Sequence, residues 1–173
     1  MKNKPILKAV YAALFMAFVF VGTQFIRVPL PFGYFNMGDC FILLSAVILG
    51  GAYAVVASAL GAALADILSG YVVYAPATVI VKSLMVIAMI AMLRLCKNKG
   101  KGAQNILSCV GAVVSECIMI CGYFIYDTIV YGFAGAVASL PGNILQGGAA
   151  VVVFVIVFAV LKQTGLLKRI QVQ

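Results

Sequence analysis

Apolar runs long enough to cross a bilayer recur along this chain, and just four acidic residues interrupt them: Asp39, Asp66, Glu116 and Asp127. A carboxylate inside a membrane is costly unless it faces protein, water or a ligand, so their placement points to a polar pocket within a membrane protein. With 173 residues, 65% of them hydrophobic, and a mean hydropathy of +1.19, the sequence predicts one integral membrane domain over residues 1–173, not a soluble core. The net charge of +8 does not indicate nucleic acid. Its Lys and Arg residues gather at the ends of apolar runs, where they read as topology signals.

Clear spans run from Ala9 to Ile26, Ala77 to Leu95, Ile106 to Tyr131 and Ile144 to Leu161. The first is expected to be a retained helix, because it is too long for a secretory signal and lacks a clear cleavage site. Between Cys40 and Leu68 the chain is apolar for about 29 residues, long for one crossing and short for two, with Gly50 and Gly51 near its middle. Charge decides the count. Lys2, Lys4 and Lys8 precede the first helix and Arg94, Lys97, Lys99 and Lys101 form a basic loop; the positive-inside rule places both clusters in the cytoplasm, so an even number of crossings separates them. Splitting at the glycines predicts an all-α membrane protein with six transmembrane helices and both termini cytoplasmic. The external segments are then Val28 to Met37, Ser69 to Pro76 and Gly132 to Gly142.

This topology gathers ionisable and amide groups in the outer half of the bundle. Glu116, Tyr123 and Asp127, spaced seven and four apart, share one face of the fifth helix and form the strongest ligand-binding stripe. Asn143 and Gln146 carry donors and acceptors suited to the edge of a heteroaromatic ring; Asn143, beside Pro141 and Gly142, is equally a cap. Asp39 begins the second helix, where capping and the helix dipole account for it before ligand contact does. Asp66 and Lys82 are expected to pair with each other, with ligand contact as the alternative. Arg27 balances charge or snorkels to the interface. Phe32, Tyr34 and Phe35 suit an aromatic lid with Asn36 adding polar contacts, although aromatics also anchor helices at interfaces. Tyr71 and Tyr74 are a second, weaker lid. Ala9, Ala13 and Ala17 lie along one face of the first helix; that spacing alone fits packing within the chain as well as docking to another protein.

Gly33-Tyr34-Phe35-Asn36-Met37-Gly38-Asp39, Ala65-Asp66-Ile67-Leu68-Ser69-Gly70-Tyr71, Thr78 with Lys82, and Pro141-Gly142-Asn143 followed by Gln146 resemble the S component of an energy-coupling factor (ECF) vitamin transporter. The resemblance covers nearly the whole chain and is to the riboflavin-type subgroup, which is similar also to pyridoxine and hydroxymethylpyrimidine S components. It implies a multi-pass protein of a prokaryotic plasma membrane that captures a water-soluble vitamin outside. It further implies docking through the alanine face to a T component with two ATPase subunits, and no enzymatic activity or cofactor in this chain. A pyridoxine-like or hydroxymethylpyrimidine-like ring is favoured slightly over riboflavin, because Glu116 and Asp127 suit a protonatable ring or a hydroxymethyl group.

Other classes fit the residues less well. Asn36 stands where a GxGD pattern of intramembrane aspartyl proteases needs glycine, and the chain has no histidine, no CxxC pair among its five cysteines and no nucleotide motif. A stand-alone secondary carrier or channel is the alternative, but such carriers often show inverted repeats with matching helix breaks, and Gly50-Gly51 has no counterpart in the later helices. A scaffold that binds protein alone has no need of the outer polar cluster.

Overall fold

The computed structural model describes residues 4–29, 34–96 and 99–171. Helix α1 (Lys4–Gln24) leads into a short antiparallel hairpin of β1 (Arg27–Pro29) and β2 (Tyr34–Asn36), paired Arg27 to Asn36 and Val28 to Phe35. Then follow α2 (Gly38–Ile48), α3 (Gly51–Leu68), a 3-10 turn (Val72–Tyr74), α4 (Ala75–Cys96), α5 (Lys101–Gln163) and α6 (Leu166–Ile170). The segment from Val28 to Met37, expected to be an external loop, is therefore partly a hairpin, a small exception to the all-helical expectation.

Helix α1, helix α3, the stretch Val72–Leu95 and α5 are each long and apolar enough to cross a membrane, and α2 is a shorter apolar helix. Apolar side chains cover the outside: Ile80, Ile129 and Ile156 are 61%, 75% and 58% exposed. In water such a coat drives aggregation, whereas in lipid it is the solvent-facing surface. The chain is a multi-pass helical membrane protein.

Helix α2 is apolar on every side because it is the centre of the bundle. All of its residues except Phe41 are buried, and α1, α3, α4 and α5 pack around it. At 1.5 Å per residue it is about 16 Å long, too short to cross the hydrocarbon unaided. The Ser45 hydroxyl, which donates to Ile42 O at 2.7 Å, lies 3.0 Å from the Ser58 hydroxyl of α3, a polar contact of the kind that joins helices in lipid. At Gly61 a Cβ would come within 2.6 Å of Met16 O, so the bare glycine sets how closely α1 and α3 approach.

Helix α5 is not one rod. Gly132 has φ 77° and ψ 172°, a conformation that glycine adopts at little cost, and the chain folds back there. Asp127 meets Ser139, Glu116 packs against Gly147, and Lys162 reaches Asn105. In a straight helix the last pair would be about 85 Å apart. The arms 101–131 and 133–163 are thus antiparallel. This corrects the expected loop from Gly132 to Gly142: Gly132 is its one non-helical residue, and Pro141 lies inside the second arm. Membrane helices tolerate such a proline because neighbouring groups satisfy the freed carbonyl. Asn143 and Gln146, expected to open a helix, sit about three turns into that arm.

Candidate functional site

Where α1 and α3 end, α4 begins and α5 reverses, a cleft encloses about 480 Å³, open mouth included. Its lining is Thr23, Asn36, Ala62, Asp66, Tyr74, Thr78, Lys82, Tyr123, Asp127, Asn143 and Gln146.

The floor is a chain of hydrogen bonds between residues distant in sequence. Lys82 Nζ lies 2.5 Å from Asp39 Oδ1. Gln146 Nε2 donates to Asp39 Oδ2 at 2.6 Å, and Gln146 Oε1 accepts from the backbone N–H and side-chain amide of Asn36 at 3.1 and 3.0 Å. Asn36 Oδ1 in turn accepts from Gly38 N at 2.9 Å. Four elements, β2, α2, α4 and the second arm of α5, are joined by groups that are nearly all buried. In a low-dielectric interior such a network is stable because each member has partners.

Two expectations are corrected here. Lys82 pairs with Asp39, not Asp66, because the first turn of central α2 faces α4. Asp39 makes no side-chain cap; it lies in the first turn of α2, where the helix dipole also favours its charge. Asp66 is 4% exposed and lines the cleft.

Asp127 binds the upper wall together. Tyr74 Oη donates to Oδ1 at 2.8 Å from the turn before α4, and Ser139 Oγ donates to Oδ2 at 2.5 Å across the α5 reversal. Tyr74 is also an aromatic hub, its ring centroid 5.5 to 6.3 Å from those of Tyr71, Tyr123, Tyr126 and Tyr131. Tyr123 Oη lies 2.9 Å from Thr78 Oγ1, and Lys82 Nζ stands 5.2 Å from the Tyr123 ring centroid, a cation–π contact. The wall therefore offers an aromatic surface and several amide and hydroxyl groups.

Of the predicted stripe, Tyr123 and Asp127 line the cleft, while Glu116 lies outside the lining. Glu116 is 3% exposed, and neither carboxylate oxygen has a hydrogen-bond partner. Asn36, Lys82, Asn143 and Gln146 all reach the lining; Phe35 does not. Phe32 and the side chain of Tyr34 lie outside the described residues. Ala9, Ala13 and Ala17 are exposed on α1.

A family model described as ECF-type riboflavin transporter, S component, matches residues 3–163. The chain belongs to this family. The S component is also similar to a Pyrococcus woesei protein described as "Uncharacterized protein in gap 3'region", with 32% identity over 137 residues, 78% of this chain and 88% of the relative. An S component is the substrate-binding subunit of a vitamin uptake system, not an enzyme. In this S component Thr23 and Thr78 also line the cleft, and Ser139 holds the lining residue Asp127; Thr23 and Ser139 carry no usable sequence signal. A small hydroxyl in a helix is often satisfied by its own backbone, so nothing in one dimension distinguishes those that line a site.

Proposed function

We propose that this S component captures riboflavin in the cleft between Asn36, Tyr123 and Gln146. The observation that carries the reading is the family match over residues 3–163, taken with a cleft that offers Tyr123 for stacking and Asn143 for a ring-edge hydrogen bond, beside the Asn36 and Gln146 amides that hold each other. The preference for a smaller ring relied on Glu116 and Asp127 being available to ligand. Glu116 lies outside the lining, and both Asp127 oxygens already accept hydrogen bonds. That support is gone, and riboflavin moves ahead of pyridoxine-like and hydroxymethylpyrimidine-like rings.

The proposed topology has six crossings with both termini cytoplasmic and the cleft outside. Helices α1, α3, α4 and the two arms of α5 cross, and α2 with its flanking turns makes the remaining passage. The exposed face of Ala9, Ala13 and Ala17 lets a T component approach closely, and two ATPase subunits supply the energy in a prokaryotic plasma membrane. The vitamin is released inside after the S component reorients.

Titration of purified protein with riboflavin, followed by flavin fluorescence, tests the substrate. Saturable quenching that pyridoxine and hydroxymethylpyrimidine fail to displace is the expected result. Displacement by either at lower concentration than riboflavin would reassign the vitamin, and no binding of any of the three would overturn the reading.

A further inference from the structure

The opposite end of the bundle holds a larger cavity, about 1770 Å³ with its open mouth included. Lys8 of α1, Arg94 of α4 and Lys162 of α5 all line it. Three cations from three helices meet at one hollow, and none of the chain's four carboxylates is in the lining. Asp39 is paired with Lys82 at the other end of the bundle.

The ordinary account of basic residues at helix ends is that they snorkel to headgroups and mark the cytoplasmic side. Two observations go beyond it. Lys8 and Lys162 are half-buried, and the Lys162 ammonium is held, donating to Asn105 and standing 5.7 Å from the Phe158 ring centroid. In addition Gly51, Ala52 and Tyr53, the first turn of α3, line the cavity. No capping side chain and no acidic residue serves that helix start, so its N–H groups and positive dipole end border a space already flanked by cations.

Like charges around a hollow repel, and a bound anion relieves them. We infer that this cavity binds a net-anionic phosphate group, carried by a phospholipid headgroup or by a small soluble phosphate compound. Phosphate oxygens accept from ammonium, guanidinium and helix-start N–H groups together. Ile90 and Leu93 in the same lining give an acyl chain an apolar wall beside the headgroup. The site is separate from the vitamin cleft and does not depend on which vitamin is bound there.

The full chain, purified in neutral detergent, is offered phosphatidylglycerol, phosphatidylcholine of the same chain length, and inorganic phosphate. Native mass spectrometry reads retained lipid and thermal unfolding reads phosphate. The expected result is retention of phosphatidylglycerol over phosphatidylcholine, or stabilisation by inorganic phosphate. The first alone identifies a lipid headgroup, and the second without lipid preference identifies a soluble source. Lys8→Gln, Arg94→Gln and Lys162→Gln should each weaken binding by roughly 5-fold. Lys99→Gln, an exposed cation outside the lining, should not. Vitamin binding serves as the folding control, and Arg94→Gln, whose side chain is exposed, carries the test where a half-buried variant does not fold. Neither lipid preference nor phosphate stabilisation in the unsubstituted protein would overturn the inference, as would equal losses for Lys99→Gln and the lining variants. Unchanged anion binding with lost coupled uptake in the lining variants would overturn it in favour of an acidic segment of a partner protein.

Discussion

Lys82 of α4 and Asp39 of α2 lie 2.5 Å apart with side chains 3% and 0% exposed, and this buried pair anchors the lining of the cleft through Lys82. Gln146 holds the second oxygen of the same carboxylate at 2.6 Å, so the amide that lines the cleft is oriented by a charge behind it. The lining of the cleft and the packing of the bundle therefore share one set of hydrogen bonds.

Removing one member of a buried pair leaves the other charge uncompensated. Lys82→Met should destabilise the detergent-solubilised protein by about 3–5 kcal/mol. Adding Asp39→Asn, which removes the orphaned charge and keeps an oxygen for Gln146, should recover much of the loss. Thermal unfolding of the two variants measures both effects; an unchanged Lys82→Met protein would mean the pair contributes nothing to stability.

Gln146→Ala strands Asp39 Oδ2 and the Asn36 amide groups, which have Gln146 as partner. Vitamin binding should weaken by about 1–3 kcal/mol. Glu116→Gln lies outside the lining and should leave affinity unchanged. Parallel titrations of folded protein decide it, and an equal loss in Glu116→Gln would show that the ligand reaches beneath the floor.

The six-crossing topology predicts opposite sides for two loops. Val73 and Phe133 are 49% and 67% exposed at the cleft end, and Lys99 is exposed in the basic loop. Single cysteines at these positions, in a background without the native cysteines, should label from outside at 73 and 133 and from inside at 99. Labelling of all three from the same side would rule the topology out.

Ala13 is exposed on α1, so a large side chain there has room in the isolated subunit but none at a closely packed interface. Ala13→Trp should abolish ATP-driven uptake while sparing vitamin binding. Vesicles holding the chain with and without a T component and its ATPases provide the measurement. Accumulation by the chain alone would favour the stand-alone carrier.

Much of the cleft was legible because depth in the membrane follows from counting residues along helices. Asn36, Lys82, Tyr123, Asp127, Asn143 and Gln146 were placed near one end by that count, and all of them reach the lining. Glu116, seven residues and about 10 Å of rise from Tyr123 along the same helix, lies beyond the space that the cleft encloses. Tyr74 was underrated because its importance comes from three rings and a carboxylate that α5 brings to it.

The sequence by itself determined that this chain is a helical membrane protein with its carboxylates toward one end and most of its cations toward the other, because hydropathy and helical rise are local quantities. Only the tertiary structure decided which charge meets which. Asp66 was matched to Lys82 by depth, and Asp39 takes the pairing because α2 is the central helix and packs against α4. A reversal after Tyr131 was expected, but its shortness was hidden for the same reason. A single residue with positive φ ends one helix and begins the next, and a proline nine residues later, the louder signal in the sequence, leaves the second arm helical because its packed neighbours hold it so.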